Sequence, residues 1–390
     1  MTGTSSTSHE RGARRRPYFW ETFTPGDSYA ARNVAALRTG VDREPGALPM
    51  ALHRVRGTEA EEAAGTVSAA FAAEHVALTL FGVHQQGQTR TVHQSGVGLG
   101  TACRALRGCG QVSPIAVDRR MDALAGALDQ GELAHHLRPL VQQLRGAAVR
   151  LDYTRLFFDL LAWQQAEPEH ERRVRAWGLQ YTDLARTDPA APGPFLRTPD
   201  EKPPYWERYT PVAPRAAAEL AALRAGADRA AGTVPGTWNL YRAEVSPYEQ
   251  TTGALGSRLA TEHTVLVLFG LHQHGRRKAM HAPGVGLGEA CARLRASGRG
   301  SAEALERRFG NILTSVDGHE LGRHLRGLVP LLRTADQPLD YGRLQSDLRG
   351  WDIPDERTAI RGGQNAPAGR TAIRSRWDRA FHSTRTPSPG

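Results

Sequence analysis

Histidine, glutamine, three consecutive cations and a glycine run stand close together in residues 272–290, HQHGRRKAMHAPGVGLGEA. Three kinds of chemistry could use such a stretch. Histidines could hold a metal or move protons, a glycine turn could cradle a nucleotide phosphate, and a cationic loop could hold a nucleic-acid backbone. Residues 84–102, HQQGQTRTVHQSGVGLGTA, repeat the frame 188 positions earlier with most of its cations missing.

The histidine reading is weak on spacing. Glu74-His75 and His84 invite a ligand pair, but nine residues at about 100° each leave the two rings roughly half a turn out of phase. No HExxH pattern and no G-x-S-x-G elbow occurs. His135-His136 becomes Arg323-His324 in the repeat, so the doubled histidine is not part of the shared frame. The cysteines, Cys103, Cys109 and Cys291, have no CxxC spacing. Cys103 and Cys291 match and read as small core residues. No catalytic residue, metal or cofactor is expected. The glycine turn is G-x-G-x-G, without the GK[ST] ending of a phosphate loop.

The backbone-holding reading keeps the most residues. Arg276, Arg277, Lys278 and His281 lie just before a turn and helix start, where free N–H groups and a positive dipole end favour anions. The first copy has only Arg90 in this loop. Further candidates are Arg104 and Arg107, which share a helix face at three-residue spacing, and Arg293 with Arg295. The pairs Arg119-Arg120 and Arg307-Arg308 match, as do Arg138 and Arg326. The plain alternative for each is a solvated helix face. Trp20, Trp206, Trp163 and Trp351 match too, and read as core.

The elements that would position these residues come from duplication. Residues 74–100 and 262–288 are identical at 15 of 27 positions, and LDYTRLFFDLLAW (151–163) matches LDYGRLQSDLRGW (339–351) at 8 of 13. FWETFTP and YWERYTP open the two copies. A whole domain is therefore written twice. Apolar spacing predicts helices over 59–83, 121–128, 132–144 and 153–163, with Asp152 and Asp340 as N-caps. Strand alternation is nearly absent. The expected architecture is all-α, two homologous helical bundles in tandem. A disordered basic arm (1–17) precedes the first domain (18–183). A proline-rich linker (184–204), the second domain (205–382) and a disordered tail (383–390) follow. Residues 361–370 read as an inserted loop.

The 390 residues carry 50 Arg+Lys against 40 Asp+Glu, a net +10 with pI near 10.0. Residues 1–195 hold 22 cations and 20 anions, net +2; residues 196–390 hold 28 and 20, net +8. All cations but Lys202 and Lys278 are arginine, alongside many alanines, glycines and prolines. That composition has the habit of a GC-rich genome, so the placement of charge says more than its amount. A basic excess without a membrane span or a basic amphipathic anchor favours nucleic acid over membrane. The arginine cluster near the start has no apolar run after it, so a cytoplasmic protein is expected.

The segments FWETF, AALRTGVDREPG, EHVALTLFGVHQQ, GVGLGTACRALR, HHLRPLVQQLR and LDYTRLFFDLLAW resemble the CasB family, small subunits of the type I-E CRISPR Cascade complex. In the second copy LATEHTVLVLFGLHQHGRRKAMHAPGVGLGEA, ERRFGNILT, RHLRGLVPLLR and PLDYGRLQSDL resemble it too. The resemblance covers nearly all of both copies. It implies a non-enzymatic helical subunit whose partners are the backbone and large Cascade subunits, crRNA and target DNA, and which takes no small-molecule substrate. Such a subunit would steady the guide–target hybrid and displaced strand through sequence-independent contacts, recognition belonging to base pairing. Two rivals stay open: a duplicated helical regulator reading base edges, and a histidine-based metal phosphohydrolase.

Overall fold

The computed structural model describes residues 16–41, 43–55, 66–165, 167–183, 203–353 and 369–383. Most of the basic arm, the connection from 184 to 202, the insertion through residue 368 and the tail from 384 lie outside them. The chain packs as two units: residues 1–120 with 127–166, and 121–126 with 167–390.

The first unit holds α1 (Phe19–Thr22), α2 (Ser28–Thr39), α3 (Ala69–Gln85), α4 (Leu99–Gly108), the body of α5 (Pro114–Ala125), α6 (Gln130–Gly146) and α7 (Tyr153–Ala162). Helix α3 is its axis. Ala73, Ala77, Leu78 and Phe81 are inaccessible to water, and so is Glu74. A helix buried all round needs neighbours on every side, and α2, α6 and α7 supply them. Ser68 caps α3 by accepting the Phe71 N–H at 3.2 Å. The helix thus begins later than the apolar spacing suggests: Val67 stands before it, half-exposed, and 59–65 lie outside the described residues.

The second unit repeats the plan. After α8 (Glu167–Thr182) come α9 (Tyr205–Arg208), α10 (Ala216–Ala225), α11 (Pro247–Thr252) and the axial helix α12 (Ser257–Gln273). Then follow α13 (Leu287–Ala296), α14 (Ala302–Thr314), α15 (Gly318–Thr334), α16 (Tyr341–Trp351) and α17 (Arg370–His382). Helix α12 packs against α10, α15 and α16, while α17 covers α13. Among the described residues there is no strand, only the isolated parallel bridges His93–Leu151 and His281–Leu339. No described helix is long and apolar enough to cross a membrane.

The matched sequence makes matched cores. Phe81 meets Tyr153 edge-on at 5.2 Å, and Phe269 meets Tyr341 at 5.3 Å. Trp20, Trp206, Trp163 and Trp351 are buried, as core residues should be, and Cys103 and Cys291 are fully enclosed. Gly82 and Gly270 let paired helices touch: an added Cβ would lie 2.6 Å from the Leu37 Cβ in one and 2.7 Å from the Leu223 Cβ in the other.

Each axial helix also buries a histidine against the core tyrosine. The Tyr153 hydroxyl donates to the Leu80 carbonyl at 3.2 Å and meets His84 Nδ1 at 3.0 Å. Tyr341 does the same with Leu268 at 3.2 Å and His272 at 2.9 Å. Burial disfavours the imidazolium and pushes both histidines down to about 4.

Two predictions follow from this packing. Gly270→Val should force α10 from α12 and cost about 1–3 kcal/mol of stability, read as a lower urea midpoint with unchanged slope. The pH dependence has a definite sign. Unfolded imidazoles titrate near 6.5 and these two near 4 in the fold, so the unfolded chain takes up protons that the native state refuses. Their stabilisation is complete above pH 6.5 and is lost as pH falls toward 4, on the order of 3 kcal/mol for each. The thermal midpoint should fall over that window, and less steeply in a His84→Asn/His272→Asn variant; equal slopes would refute the assignment.

Candidate nucleic-acid interface

The cationic loop after α12 is held by a side chain of that helix. The Gln273 amide donates to the Arg276 carbonyl at 2.8 Å and the Lys278 carbonyl at 3.0 Å, and its oxygen accepts the Met280 N–H at 2.9 Å. Gly275, with φ at 71°, allows the chain to leave the helix. Beyond Met280 the loop joins residues some sixty positions on. Leu339 donates to the Met280 carbonyl at 3.0 Å, Ala282 to the Leu339 carbonyl at 3.2 Å, and Asp340 to the Val285 carbonyl at 2.8 Å.

Asp340 then does two jobs at once. One carboxylate oxygen caps α16 through the Arg343 N–H at 2.9 Å; the other takes the Gly284 N–H at 2.7 Å. The same set recurs in the first unit. Gln85 holds Gln88, Arg90 and Val92, while Asp152 holds Arg155 and Gly96. The expected N-caps Asp152 and Asp340 are therefore caps, and also clamps on the glycine turn. The turn is a rigid shelf whatever charge it carries.

On that shelf the predicted residues part company. Arg277 and Lys278 are exposed, as is Arg90 in the first unit. Arg276 is half-buried and bonded to Asp336 at 2.7 Å. Exposed pairs of this sort are worth about 0–1 kcal/mol, so a phosphate could displace the carboxylate cheaply. His281 accepts the Tyr341 N–H at Nδ1 over 3.2 Å, and burial holds its pKa below the usual value. It is a neutral tie in the backbone, not a cation.

The neighbouring arginines divide in the same way. Arg119, Arg307 and Arg308 are exposed on the outer faces of α5 and α14, with Arg120 half-buried beside its partner. Arg107 pairs with Asp118 at 3.0 Å, and its counterpart Arg295 with Glu306 at 3.7 Å. Arg295 also donates to the Phe381 carbonyl at 2.8 Å and lies over that ring. Arg293 pairs with Glu289 at 2.5 Å. Arg326 donates to the Ala227 carbonyl, fixing α15 to the turn after α10. Arg138 and Arg104 have partners as well.

The helix start after the glycine turn is less open than its sequence suggests. In α13, Glu289 stands in the first turn, and an added Cβ at Gly288 would lie 2.2 Å from the Trp377 carbonyl oxygen. Negative charge and carbonyl oxygen already occupy that end, which disfavours an anion there. Arg343 and Arg155 also stand at the glycine turns. Arg343 packs on Gly286, where an added Cβ would lie 3.3 Å from its guanidinium, and Arg155 reaches the Gly96 carbonyl at 3.5 Å. Their signal was the shared L-D-Y-x-R-L stretch, in which Asp drew attention to the cap and Arg went unread.

Two further histidines are spent on structure. His75 meets the Arg43 carbonyl at 3.1 Å; His263 meets the Gly226 carbonyl at 3.1 Å and the Tyr241 hydroxyl at 2.8 Å. Beside them Glu74 and Glu262 accept N–H groups of a crossing segment, Arg54 and Val55 in one unit, Arg242 and Ala243 in the other. Among the described residues no cluster of His, Cys, Asp and Glu is arranged to hold a metal.

Residues 33–181 and 219–382 each match the sequence profile of a family described as CRISPR-associated protein Cse2. Among solved structures, the crystal structure of CasB from Thermobifida fusca is similar at 32% identity, over 44% of this chain and 86% of that chain, with a TM-score of 0.33. No curated protein sequence matches.

The geometry gives the loop a clear test. Gln273→Leu removes three hydrogen bonds to backbone and leaves buried groups unsatisfied, at about 1–3 kcal/mol. Amide exchange at Met280 should rise at least tenfold while α15 keeps its protection; an unchanged Met280 would mean that the loop is held by other contacts.

Proposed function

Since the chain belongs to the family of the CRISPR-associated protein Cse2, with the family's pattern met once in each half, we propose that it serves as a fused double small subunit of a type I-E Cascade complex. In this reading it is a non-enzymatic, cytoplasmic component. It associates with the backbone and large subunits and holds crRNA-paired target DNA or the displaced strand by phosphate contacts.

The observation that carries the reading is the second unit's rigid shelf, with Arg277 and Lys278 exposed on a loop whose backbone is fixed at three points by Gln273. A loop whose backbone is already held incurs no ordering cost there when its cations meet a phosphate, and they release counterions when they do. The exposed Arg307 and Arg308, with Arg343 at the glycine turn, extend the set on the same half, which carries net +8. Nothing in such a shelf reads a base edge. Affinity should therefore be indifferent to sequence, the property a guide-directed complex needs from a scaffold. The first half, with one loop cation and net +2, would contribute less to backbone holding. Fusion would fix the ratio of halves at one to one and raise the local concentration of the second when the first is bound.

The test is a salt series on the purified chain with single-stranded and duplex DNA of several sequences. Sequence-indifferent binding is expected, its slope in log salt shallower by about 1–2 in an Arg277→Ala/Lys278→Ala variant, as for one or two lost phosphate contacts at roughly 0.9 each. Arg326→Ala should instead lower stability. A variant with unchanged affinity and slope would remove the loop from the interface, and sequence-dependent affinity would favour a base-reading regulator.

A further inference from the structure

Helix α8 is written in the first copy, since the first match to the family profile runs to residue 181. It packs in the second unit. Eight consecutive residues, 174–181, are buried along it. Its counterpart at the end of the second copy is α17, by setting Trp177 on Trp377 and Tyr181 on Phe381. Helix α17 buries one stripe only: Ile373, Trp377 and Phe381. Helix α8 therefore has a second buried face that α17 lacks, and that face carries Arg175 and Gly178.

The contacts that hold this face lie between residues 231 and 253. The Arg175 guanidinium is 3% exposed and donates to the Ala231 carbonyl at 2.6 Å and the Gly253 carbonyl at 2.7 Å. Its stem passes over Gly232, where an added Cβ would stand 2.9 Å away. Gly178 admits the Trp238 indole, which an added Cβ would meet at 2.5 Å, and Trp238 is anchored by its own N–H to the Gly232 carbonyl at 2.8 Å. Gly253, with φ at 69°, brings backbone against backbone: an added Cβ would lie 1.8 Å from the Arg172 carbonyl oxygen. Gln180 and Gln250 exchange amide bonds across the seam, to the Gln250 carbonyl at 3.3 Å and the Leu179 carbonyl at 3.4 Å.

Among the described residues the Arg175 and Trp238 contacts have no second copy. The alignment of α8 on α17 puts Ser375 where Arg175 stands and Asp378 where Gly178 stands, and both are exposed. At the 188-residue offset that pairs Arg54 with Arg242, Trp238 falls on Met50, which is 41% exposed; at the 186-residue offset that pairs Leu37 with Leu223, Gly232 falls on Gly46, where an added Cβ would meet nothing within 4 Å. The second copy has a socket and the first copy supplies its plug; the first copy's own segment keeps the glycine, Gly46, but lacks the indole.

We infer that residues 231–253 form a docking site for one helix, residues 167–182 of the preceding copy, so that the two copies interlock in one direction and are not independent domains on a string. The proline-rich run connects two helices of a single unit.

The test uses the full chain with a protease site inserted within residues 184–202. Cutting the otherwise unaltered protein should leave one species on gel filtration, with amide exchange of 170–181 as slow as before the cut. Gly178→Leu, on the plug, and Gly253→Val, on the socket, should each speed exchange of 170–181 at least tenfold in the uncut chain, leaving α3 unchanged. Where a variant also melts α12, the milder Gly178→Ala is read in its place. Separation of the cut pieces, or exchange in 170–181 that neither variant changes, would overturn the inference.

Discussion

An axial helix buried on every side creates a difficulty that the rest of each unit is built around. Besides the helices packed on it, irregular segments cross it whose N–H and C=O groups have no helical or strand partners, and leaving them unpaired in a dry interior is costly. The helix itself meets that demand. Glu262 takes the N–H groups of Arg242 and Ala243, and Gln273 serves three groups of the following loop. His263 and His272 serve a carbonyl and a tyrosine. Polar residues on an apolar helix are here the anchors that let irregular backbone be buried at all.

This explains why the two copies keep the same Glu-His and His-Gln pairs while their loop charges diverge. The anchors act on backbone, so any sequence can run through the loop between them provided glycine stands where φ is positive. Charge can be added to the second loop without touching the fold, and the fold gives that charge a fixed position. Rigidity and basicity are separable properties at this site, supplied by different residues.

Much of the architecture was legible in the sequence. Duplication showed as identity at fixed spacing, helices as apolar periodicity, and Asp152 and Asp340 as caps from their place before a periodic run. The site was legible only in part, because an arginine's role depends on what stands opposite. Arg276 meets Asp336 and Arg326 meets Ala227, sixty and ninety-nine positions away; no local pattern reveals such partners. His281 reads as one more basic neighbour, yet burial beside Tyr341 keeps it neutral. The placement of α8 was hidden for a similar reason: Val174, Trp177 and Leu179 announce a buried helix without saying which body buries it.

That placement has a consequence for how the chain is made. A ribosome completes α8 at Thr182, but the last of the residues it rests on, Gly253, is 71 positions further along. At synthesis rates of roughly 5–20 residues per second, several seconds separate the helix from its seat. During that interval Val174, Trp177 and Leu179 emerge without the surface that later covers them, and a nearby chain at the same stage presents the same face. Protection of nascent α8, by a chaperone or by slow release from the exit tunnel, becomes a condition for high yield. It also makes the order of the two copies along the gene a matter of folding as well as of ancestry.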